Sequence, residues 1–451
     1  MDTSAIFKAY DVRGIYPDQL NEDVARAVGS AFATFTGVSM IVVARDMRPS
    51  GVALGEAFAE GARAVGATVT DLGLASTDFI YFATGYLDVP GAMFTASHNP
   101  AQYNGIKLCL AGAKPVGVET GLAQIEQLTK KFLIEPASGA LAPLAARDLM
   151  AEWVAHVHSF IDLTTLRPLT IIADTANGMG GFVVPKVFAG LPFSVEILFE
   201  ELDGTFPNHP ADPLNPANLV DLERRIKEKG ADVGLAFDGD ADRVFLIDEN
   251  AKPISGSTTT ALVAQALLAK NPGATILYNL ICSKAVPEVI LENGGVPVRT
   301  RVGHSFIKQV MADTNAIFGG EHSGHYYFRD NYRADSGIIT AMIVLELMST
   351  ADVSLSQLVA PLERYADSGE INSTVTSPHE SVARLTATLA EAGITVDELD
   401  GLTADYGDWW FNLRPSNTEP LLRLNVEAPD DESCERHVAE ILSEIERLTS
   451  D

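Results

Sequence analysis

Short runs of apolar residues recur along the chain, and each passes through a polar, glycine-containing turn into a stretch that favours a helix. This pattern occurs around residues 44–51, 173–180 and 278–285. Short apolar runs bounded by turns are typical of buried strands, and their alternation with helices predicts a sheet covered by helices. We therefore predict three related α/β modules with mixed sheets, although the residue-level similarity between them is weak.

The C-terminal part follows a different pattern. It predicts a helix over residues 379–392, strands over 409–413 and 421–426, and a final helix over 432–448. Strands and helices in this order indicate a small α+β domain. A stretch rich in Ala, Ser, Gly and Pro at 136–144 is typical of a linker.

Four domains follow from these patterns and from the chain length of 451 residues. At about 100–200 residues per domain, this length suits three or four domains. We also expect a hairpin at 244–253, which would open the third module. The predicted domains are listed as residues 1–145, 146–250, 251–365 and 366–451.

Charge and composition narrow the class of protein. The formal charge of −28 argues against nonspecific binding to nucleic acid, because such binding needs a basic surface. No apolar run reaches the about 18 residues of a membrane span, and the first residues lack the features of a signal peptide. Three widely spaced cysteines without a CxxC pair indicate a reducing cytoplasm rather than a disulfide framework or zinc site. Because the net charge is strongly negative, an anionic substrate would need a local cluster of Arg and Lys at its binding site.

The sequence TASHNP at residues 95–100 follows the apolar run 91–94, which predicts a strand. Asn99-Pro100 ends that strand and turns the chain. Ser97 is thereby placed on a sharp loop after a strand, where a hydroxyl is exposed and fixed, as a nucleophile requires. A polar turn with local hydrogen bonds is the alternative.

Three acids alternate in the sequence DGDADR at residues 238–243, after the apolar run 232–237. On an extended segment, Asp238, Asp240 and Asp242 would converge on a hard cation with oxygen ligands. Mg²⁺ suits a site with oxygen donors only, whereas a calcium loop would need a Glu and a Gly at other positions. A solvated acidic turn remains the simpler alternative. Arg243 is a candidate for holding a phosphate or steadying the nucleophile.

Two further loops carry polar groups. In GEHSGH at 320–325, Glu321 and Ser323 would face one side of an extended loop, as contacts to sugar hydroxyls require. In RPSNTEP at 414–420, Arg414 and its polar neighbours offer donors to a phosphate. Arg13 is expected on a turn, either pointing into a cleft or on the surface. Lys107, on a predicted strand beyond the Ser97 loop, is either a proton carrier, a phosphate ligand or an edge-strand lysine.

These four loops together resemble the α-D-phosphohexomutase family, whose phosphoserine, metal, sugar and phosphate loops they match in order and spacing over nearly the whole chain. The resemblance implies four domains around a central cleft, with Mg²⁺ held by the phosphate on Ser97 and by Asp238, Asp240 and Asp242. It implies that phospho-Ser97 converts a hexose phosphate through a hexose 1,6-bisphosphate, which also serves as activator.

Other site residues are implied by the same resemblance, residue by residue. The positions that match proton transfer or support of the transferring group are Arg13, Lys107 and His325. The positions that match substrate contacts are Tyr10, Lys284, Gly303 and His304, with Glu321 and Ser323 at the sugar hydroxyls. The positions that match the second phosphate site are Arg414, Ser416, Asn417 and Thr418.

The same resemblance indicates which hexose is the substrate and which partners to expect. His322 departs from the residues that the family carries after the Glu of the sugar loop, and the surrounding pattern is most similar to that of bacterial phosphomannomutases. A phosphoglucomutase or a dual-specificity enzyme is the alternative within the family. A Mg²⁺-dependent sugar-phosphate hydrolase or a non-catalytic sensor is the alternative outside it. We expect a hexose phosphate substrate, no nucleic acid or membrane partner, and a monomer or homodimer.

Overall fold

The four modules each contain one β-sheet in the structure, a computed structural model that describes residues 3–415 and 421–450. Three sheets combine parallel and antiparallel strands, and the fourth is antiparallel throughout. This arrangement confirms the predicted α/β class with three mixed-sheet modules and a C-terminal α+β domain.

The first module is built on a seven-stranded sheet, in the order β1-β5-β4-β2-β3-β7 with β6 paired to β5. Strands β4, β2, β3 and β7 are parallel, β5 is antiparallel to its neighbour β4, and β1 at the edge is antiparallel to β5. Its elements are β1 (Val12–Ile15), α1 (Glu22–Thr36), β2 (Met40–Arg45), α2 (Ser50–Ala64), β3 (Thr68–Leu74), α3 (Thr77–Leu87), β4 (Gly91–Phe94), β5 (Tyr103–Leu110), β6 (Lys114–Pro115), α4 (Leu122–Ile134) and β7 (Leu144–Ala146).

The second module has a five-stranded sheet in the order β12-β11-β10-β8-β9. The hairpin β11-β12 extends this sheet, because Phe237 at the end of β10 pairs with Val244 at the start of β11. Its assignment to the third module was therefore wrong. The elements are α5 (Met150–His158), β8 (Thr170–Asp174), α6 (Gly180–Val187), β9 (Ser194–Leu198), α7 (Val220–Lys229), β10 (Val233–Phe237), β11 (Val244–Ile247) and β12 (Pro253–Ile254).

The third module has a five-stranded sheet with the same topology as the second, in the order β14-β13-β15-β16-β17. The first three of these strands are parallel, and β16 and β17 are added as antiparallel strands. Its elements are α8 (Gly256–Lys270), β13 (Thr275–Asn279), α9 (Ala285–Glu292), β14 (Val296–Thr300), α10 (His304–Thr314), β15 (Phe318–Gly320), β16 (Tyr326–Phe328), β17 (Ala334–Asp335), α11 (Gly337–Ala351) and α12 (Leu355–Val359).

The fourth module has a six-stranded antiparallel sheet in the order β18-β23-β22-β21-β20, with β19 also paired to β23. Two helices, α13 and α14, contact each other and this sheet. The elements are β18 (Ala366–Asp367), β19 (Ile371–Thr374), α13 (Pro378–Glu391), β20 (Val396–Asp397), β21 (Leu402–Asp405), β22 (Trp410–Pro415), β23 (Leu421–Ala428) and α14 (Asp431–Ser450).

One apolar core joins the first three modules, whereas the fourth module has its own. Phe79 of the first module, Trp153 of the second and Phe328 of the third belong to the same buried cluster. Phe411 and Leu424 belong to a separate cluster within the fourth module. A fourth module with a core of its own is able to move as a unit against the others.

Three expectations about composition and loops have clear outcomes. Cys109, Cys282 and Cys434, which were not expected to form a disulfide framework, are free thiols, and all three are buried. The predicted linker at 136–144 is mostly irregular, but its last residue starts β7, which pairs with β3 at the sheet edge. In the described part of the chain, every helix is too short or too polar to span a bilayer.

Candidate active site

The Ser97 loop connects β4 to β5. Ser97 has a φ of +49°, a left-handed conformation that is uncommon for a residue with a side chain. The Thr95 hydroxyl accepts a hydrogen bond from the Ser97 amide at 2.9 Å. The Ser97 hydroxyl donates to Asp238 Oδ2 at 2.7 Å, so the loop of the first module presents its serine to the acidic loop of the second.

The acidic loop follows β10, and its three carboxylates converge as predicted, although the backbone forms a turn rather than an extended segment. The amide of Ala241 donates to the carbonyl of Asp238 at 3.1 Å, and Ala241 has a φ of +58°. One oxygen from each of Asp238, Asp240 and Asp242 lies within 4.8 Å of the others. All three side chains are buried. The tight turn, not strand alternation, brings them together.

Two oxygens of this loop fit a cation. Asp240 Oδ1 and Asp242 Oδ1 are buried and have no hydrogen-bond partner in residues 3–415 and 421–450. Buried carboxylate oxygens without partners are costly, and a bound cation would remove that cost. Since carboxylates are hard ligands, the donor set suits a divalent ion such as Mg²⁺.

Lys107 supplies a counter-charge to the same loop. Its ammonium donates to Asp240 Oδ2 and to Asp242 Oδ2, both at 2.7 Å. Burial alone would lower the pKa of Lys107, but the two carboxylates outweigh burial and raise the pKa well above its usual range. Burial would raise the pKa of Asp240, but Lys107 holds the pKa of this carboxylate below its usual range. This lysine is therefore a fixed positive charge within the site.

Asp238 is surrounded by Arg243, Ser97 and the other two acids. The Arg243 guanidinium donates to Asp238 Oδ2 at 3.0 Å and to His98 Nδ1 at 2.6 Å. Burial raises the pKa of Asp238 to about 8, which Arg243 only partly opposes. Burial also lowers the pKa of His98 to about 2, with a further contribution from Arg243, so His98 stays neutral and accepts this bond.

Arg13 reaches the Ser97 loop from a strand, not from the predicted turn. It lies on β1, paired with Gly105 of β5, because the first residues complete the edge of the sheet. Its Nη1 donates to Asn99 Oδ1 at 2.6 Å, and its Nη2 pairs with Asp11 at 2.5 Å. Together with Lys107 and Arg243, it forms the local basic cluster that an anionic substrate needs inside a chain of charge −28.

The loop at residues 320–325 of the third module forms a tight turn, so the expectation of an extended loop was wrong. The amide of Gly324 donates to the carbonyl of Glu321 at 3.1 Å. The buried Glu321 carboxylate accepts from the Tyr327 hydroxyl at 2.7 Å and from the Gly303 amide at 3.2 Å. Glu321 is thus fixed by internal donors, which orient its carboxylate.

Ser323 and His325 of this loop are half-buried, and their side chains contact each other. The Ser323 hydroxyl lies 2.9 Å from His325 Nδ1. The other ring nitrogen, Nε2, lies 3.9 Å from Asp242 Oδ1, so the third module approaches the acidic loop of the second. His325, Asp242 and Asp335 also place one ligand atom each within 4.8 Å of one another. The nearby Lys308 ammonium, 3.5 Å from Asp335, places a positive charge beside this group.

Tyr10 and Gly303 lie together where the first and third modules meet. The ring of Tyr10 packs edge-on against Phe306, with the centroids 6.4 Å apart. A side chain at Gly303 would collide with the Tyr10 hydroxyl, since a Cβ there would lie 2.6 Å from it. His304 begins α10, and its side chain is outside the described part of the structure.

Two predicted substrate residues, Lys284 and Arg414, form ion pairs with acids of the fourth module. Lys284 precedes α9, and its ammonium donates to Asp405 Oδ1 at 2.6 Å and to the Gly407 carbonyl at 2.7 Å. Arg414 lies on β22 and donates to Glu370 Oε2 at 2.6 Å. The remaining predicted residues of the phosphate loop, Ser416, Asn417 and Thr418, lie outside the described residues.

Sequence reasoning missed Arg48 and Thr77. Arg48 binds the carbonyls of the Ser97 loop, and the Thr77 hydroxyl donates to Asp240 at 2.5 Å. A signal for Arg48 was present, because it follows β2 as Ser97 follows β4. Strands that are parallel and adjacent in one sheet place their following loops at the same edge.

A buried hydroxyl and an oxygen-only candidate cation site, surrounded by Lys and Arg at the junction of three mixed-sheet modules, suit an enzyme that transfers a phosphoryl group. The chain belongs to the phosphoglucomutase/phosphomannomutase family, whose models match it in four parts. The alpha/beta/alpha domains I, II and III match residues 4–133, 151–252 and 255–365. The C-terminal domain matches residues 370–444. These matches confirm the resemblance found from the motifs.

Individual relatives agree with this assignment. A protein of Xanthomonas campestris named as phosphohexose mutases is 42% identical over 95% of this chain and 96% of its own. A phosphomannomutase of Escherichia coli K12 is 39% identical over 94% of this chain and 95% of its own. The crystal structure of a phosphoglucomutase/phosphomannomutase family protein of Burkholderia thailandensis has a TM-score of 0.90 at 32% identity, covering 99% of this chain and 98% of that one.

Proposed function

We propose that the chain interconverts mannose 6-phosphate and mannose 1-phosphate through phospho-Ser97 and a hexose 1,6-bisphosphate. The observation that carries this proposal is the 2.7 Å hydrogen bond from the Ser97 hydroxyl to the acidic loop, in which Asp240 and Asp242 each keep a buried oxygen without a hydrogen-bond partner among the described residues. Relatives named phosphomannomutase, at about 40% identity over nearly the whole chain, support mannose as the sugar.

The reaction consists of two phosphoryl transfers. In the first, the bond from phosphorus to Ser97 Oγ breaks, and a bond forms from phosphorus to the free hydroxyl oxygen of the hexose phosphate. That hydroxyl loses its proton to a base, and Ser97 Oγ keeps the electron pair. In the second, the bisphosphate, turned over in the cleft, returns its other phosphoryl group to Ser97 Oγ, and the released sugar oxygen takes up a proton. Such transfers depend on positioning and on neutralisation of charge.

The proposed metal is Mg²⁺, held by Asp238, Asp240, Asp242 and the phosphate of Ser97, where it would supply positive charge to the transferring group. Arg243 orients Asp238, and Asp238 accepts the Ser97 hydrogen bond. Lys107 contributes a second charge, since its raised pKa keeps it protonated.

Among the proposed catalytic residues, His325 is our candidate for the proton acceptor. One of its ring nitrogens is bound by Ser323, and the other faces the acidic loop. Arg13 holds Asn99 of the Ser97 loop and is proposed to support the transferring phosphoryl group. The proposed substrate contacts are Tyr10, Lys284, Gly303, His304, Glu321 and Ser323, with Arg414, Ser416, Asn417 and Thr418 at the second phosphate.

Several finer expectations belong to the same proposal. We propose that a hexose 1,6-bisphosphate activates the enzyme by phosphorylating Ser97. We also propose that the protein works in the cytoplasm as a monomer or homodimer, with the four domain ranges predicted above except that the second domain extends to the end of β12. Glucose phosphate is the second candidate substrate, because the Glu321 carboxylate and the Ser323 hydroxyl would contact hydroxyls that the two sugars share.

The test follows mannose 1-phosphate by phosphorus NMR in the presence of Mg²⁺ and a trace of glucose 1,6-bisphosphate, with glucose 1-phosphate in parallel. We expect the 6-phosphate to form, faster from mannose. Ser97→Ala is expected to lower the rate at least about 1000-fold, whereas the matched variant Ser39→Ala, at an exposed serine of the same module, leaves it unchanged. Inorganic phosphate as the only product would contradict the mutase and indicate a hydrolase. Normal turnover by Ser97→Ala would exclude Ser97 as the carrier.

A further inference from the structure

Arg48 is a fully buried arginine between β2 and α2, and its guanidinium faces the Ser97 loop. Its side chain has 0% exposure. It donates to four backbone carbonyl oxygens, three of them in that loop and the fourth on Tyr103, where β5 begins. These bonds run from Nη2 to Ser97 O at 2.9 Å and to Asn99 O at 2.7 Å, and from Nη1 to Pro100 O and Tyr103 O, both at 2.9 Å.

The guanidinium is itself fixed from two sides. Its Nε pairs with the buried Asp46 carboxylate at 3.2 Å, and Asp46 also accepts the Arg48 backbone amide at 2.9 Å. The Asp46 amide donates to the carbonyl of Phe94, the last residue of β4. From the second module, the ring of Phe206 stacks on the guanidinium at 5.1 Å. Arg48 therefore connects the Ser97 loop to the sheet below it and to the module that carries the acidic loop.

The Ser97 loop needs such support. It contains no regular secondary structure between Phe94 and Tyr103, and Ser97 itself has a φ of +49°. Left-handed residues with side chains persist only where the surroundings over-determine their conformation. An arginine has five N–H donors in a rigid plane, so it is able to bind several carbonyls at fixed positions, which a lysine ammonium cannot reproduce.

We infer that Arg48 is a positioning residue for phosphoryl transfer: it holds the backbone of the Ser97 loop so that Ser97 Oγ stays opposite Asp238. This inference rests on the proposed function for its catalytic consequence. Arg48 binds the Ser97 carbonyl, on the same residue whose Oγ donates to Asp238 at 2.7 Å. A shift of the loop would move that oxygen directly. A misplacement of about 1 Å at a reacting group costs about 100-fold in rate.

The test compares Arg48→Lys and Arg48→Met with Arg45→Lys and Arg45→Met. Arg45 is a suitable control because it lies on the preceding strand and pairs only with the exposed Asp71, at 4.0 Å, among the described side chains. The probe is glucose 1,6-bisphosphate, added to the dephosphorylated protein with Mg²⁺. The first readout is the single-turnover rate constant for Ser97 phosphorylation, followed by intact mass. A rate constant is independent of any inactive fraction, which changes only the amplitude.

We expect both Arg48 variants to lower this rate constant about 100-fold, with the KM for mannose 1-phosphate changed less than about threefold. The Arg45 variants should match the unmodified protein. If Arg48→Met does not fold, Arg48→Lys, which keeps the charge, carries the test alone. An unchanged rate constant in Arg48→Lys, or a loss expressed only in KM, would overturn the inference.

A second readout separates this inference from the proposed function. Amide hydrogen exchange over residues 96–103 should be at least about tenfold faster in Arg48→Lys than in Arg45→Lys, since the amides of Asn99 and Tyr103 are hydrogen-bonded within the loop. If the unmodified protein neither takes up phosphate on Ser97 nor converts either sugar, the proposed function fails, and the exchange rates alone decide whether Arg48 holds the loop. Unchanged exchange would overturn the inference whatever the activity.

Discussion

Asp78 is a buried acid at the contact between the first and third modules, outside the set of residues proposed for catalysis. Its carboxylate accepts from the Ser336 hydroxyl at 2.6 Å, and Ser336 in turn caps α11 by accepting the amide of Ile339. The Ser76 hydroxyl is its other partner. Burial raises the pKa of Asp78 to about 7, and the two hydroxyls only partly oppose this effect.

This shift predicts that Asp78 makes the protein less stable as pH rises. In the unfolded chain an aspartate titrates near pH ~3.9, so between about pH 4 and pH 7 only the folded state holds the proton. Stability falls with pH wherever the folded state binds more protons. Asp78→Asn removes this dependence, because the amide does not titrate.

We therefore expect the unfolding midpoint of Asp78→Asn, relative to the unmodified protein, to rise by about 2 °C between pH 5 and pH 7.5. The measurement is thermal unfolding at both pH values, with Asp18→Asn at an exposed aspartate as the control. Other buried acids titrate equally in both proteins and cancel in the difference. An equal difference at the two pH values would show that Asp78 is ionised in the folded protein.

At the scale of single residues, the sequence indicated the residues that carry the proposed chemistry better than the residues that hold them in position. Ser97 and the three aspartates could be predicted because each follows an apolar strand, and strand ends are visible in the pattern. Thr77 could not be assigned, because its partner Asp240 is 163 residues away in the chain, whereas Arg48 was missed although its place after β2 was a usable signal. The orientation of the Glu321 carboxylate could not be predicted either, because it depends on the hydroxyl of Tyr327 and the amide of Gly303.

At the scale of elements, the Ser97 loop and the acidic loop touch through their backbones at Gly239. A Cβ at Gly239 would lie 2.4 Å from the Ser97 carbonyl oxygen, closer than any side chain tolerates. Gly239→Ala must therefore push the two loops apart. We expect kcat to fall about 100-fold, because the Ser97 hydroxyl would move away from Asp238.

The measurement for Gly239→Ala is kcat for mannose 1-phosphate at saturating Mg²⁺ and bisphosphate. Gly55→Ala is a matched control, since it lies in α2 and a Cβ there would meet only the ring of Phe94 at an ordinary 3.7 Å. Turnover equal to that of the control would mean that the two loops adjust without cost. The close contact would then have no bearing on catalysis.

Sheet edges were the least predictable elements. The strand β1 and the short β7 gain their structure by pairing with the edges of a sheet, and the hairpin β11-β12 was predicted but assigned to the wrong module. The sequences of β1 and β7 carry little alternation of their own, and Arg13 was therefore expected on a turn. The central parallel strands and the helices that cover them were predicted closely, because burial on both faces gives continuous apolar runs.

At the scale of the whole molecule, the separate core of the fourth module leaves polar contacts to connect it to the third. The Val302 amide of the third module donates to Asp400 of the fourth at 3.3 Å, and the Lys284 amide donates to Glu427 at 2.9 Å. The ammonium of Lys284 belongs to the same interface through Asp405. The first three modules lack this division because they share one core. Substrate binding is thus expected to change the position of the fourth module more than that of any other.

The Lys284–Asp405 ion pair joins the third and fourth modules at a residue that is proposed to bind the substrate. If a substrate phosphate takes Lys284 as a ligand, it must compete with Asp405, and that competition weakens its apparent affinity. The aspartate is 59% exposed, so the pair is worth at most about 1 kcal/mol. We expect Asp405→Asn to lower the KM for mannose 1-phosphate about two- to fivefold with kcat nearly unchanged. Asp408→Asn, in the same turn and exposed, is the control. A higher KM in Asp405→Asn would instead mean that this contact belongs to the substrate-bound arrangement, in which the fourth module already covers the site.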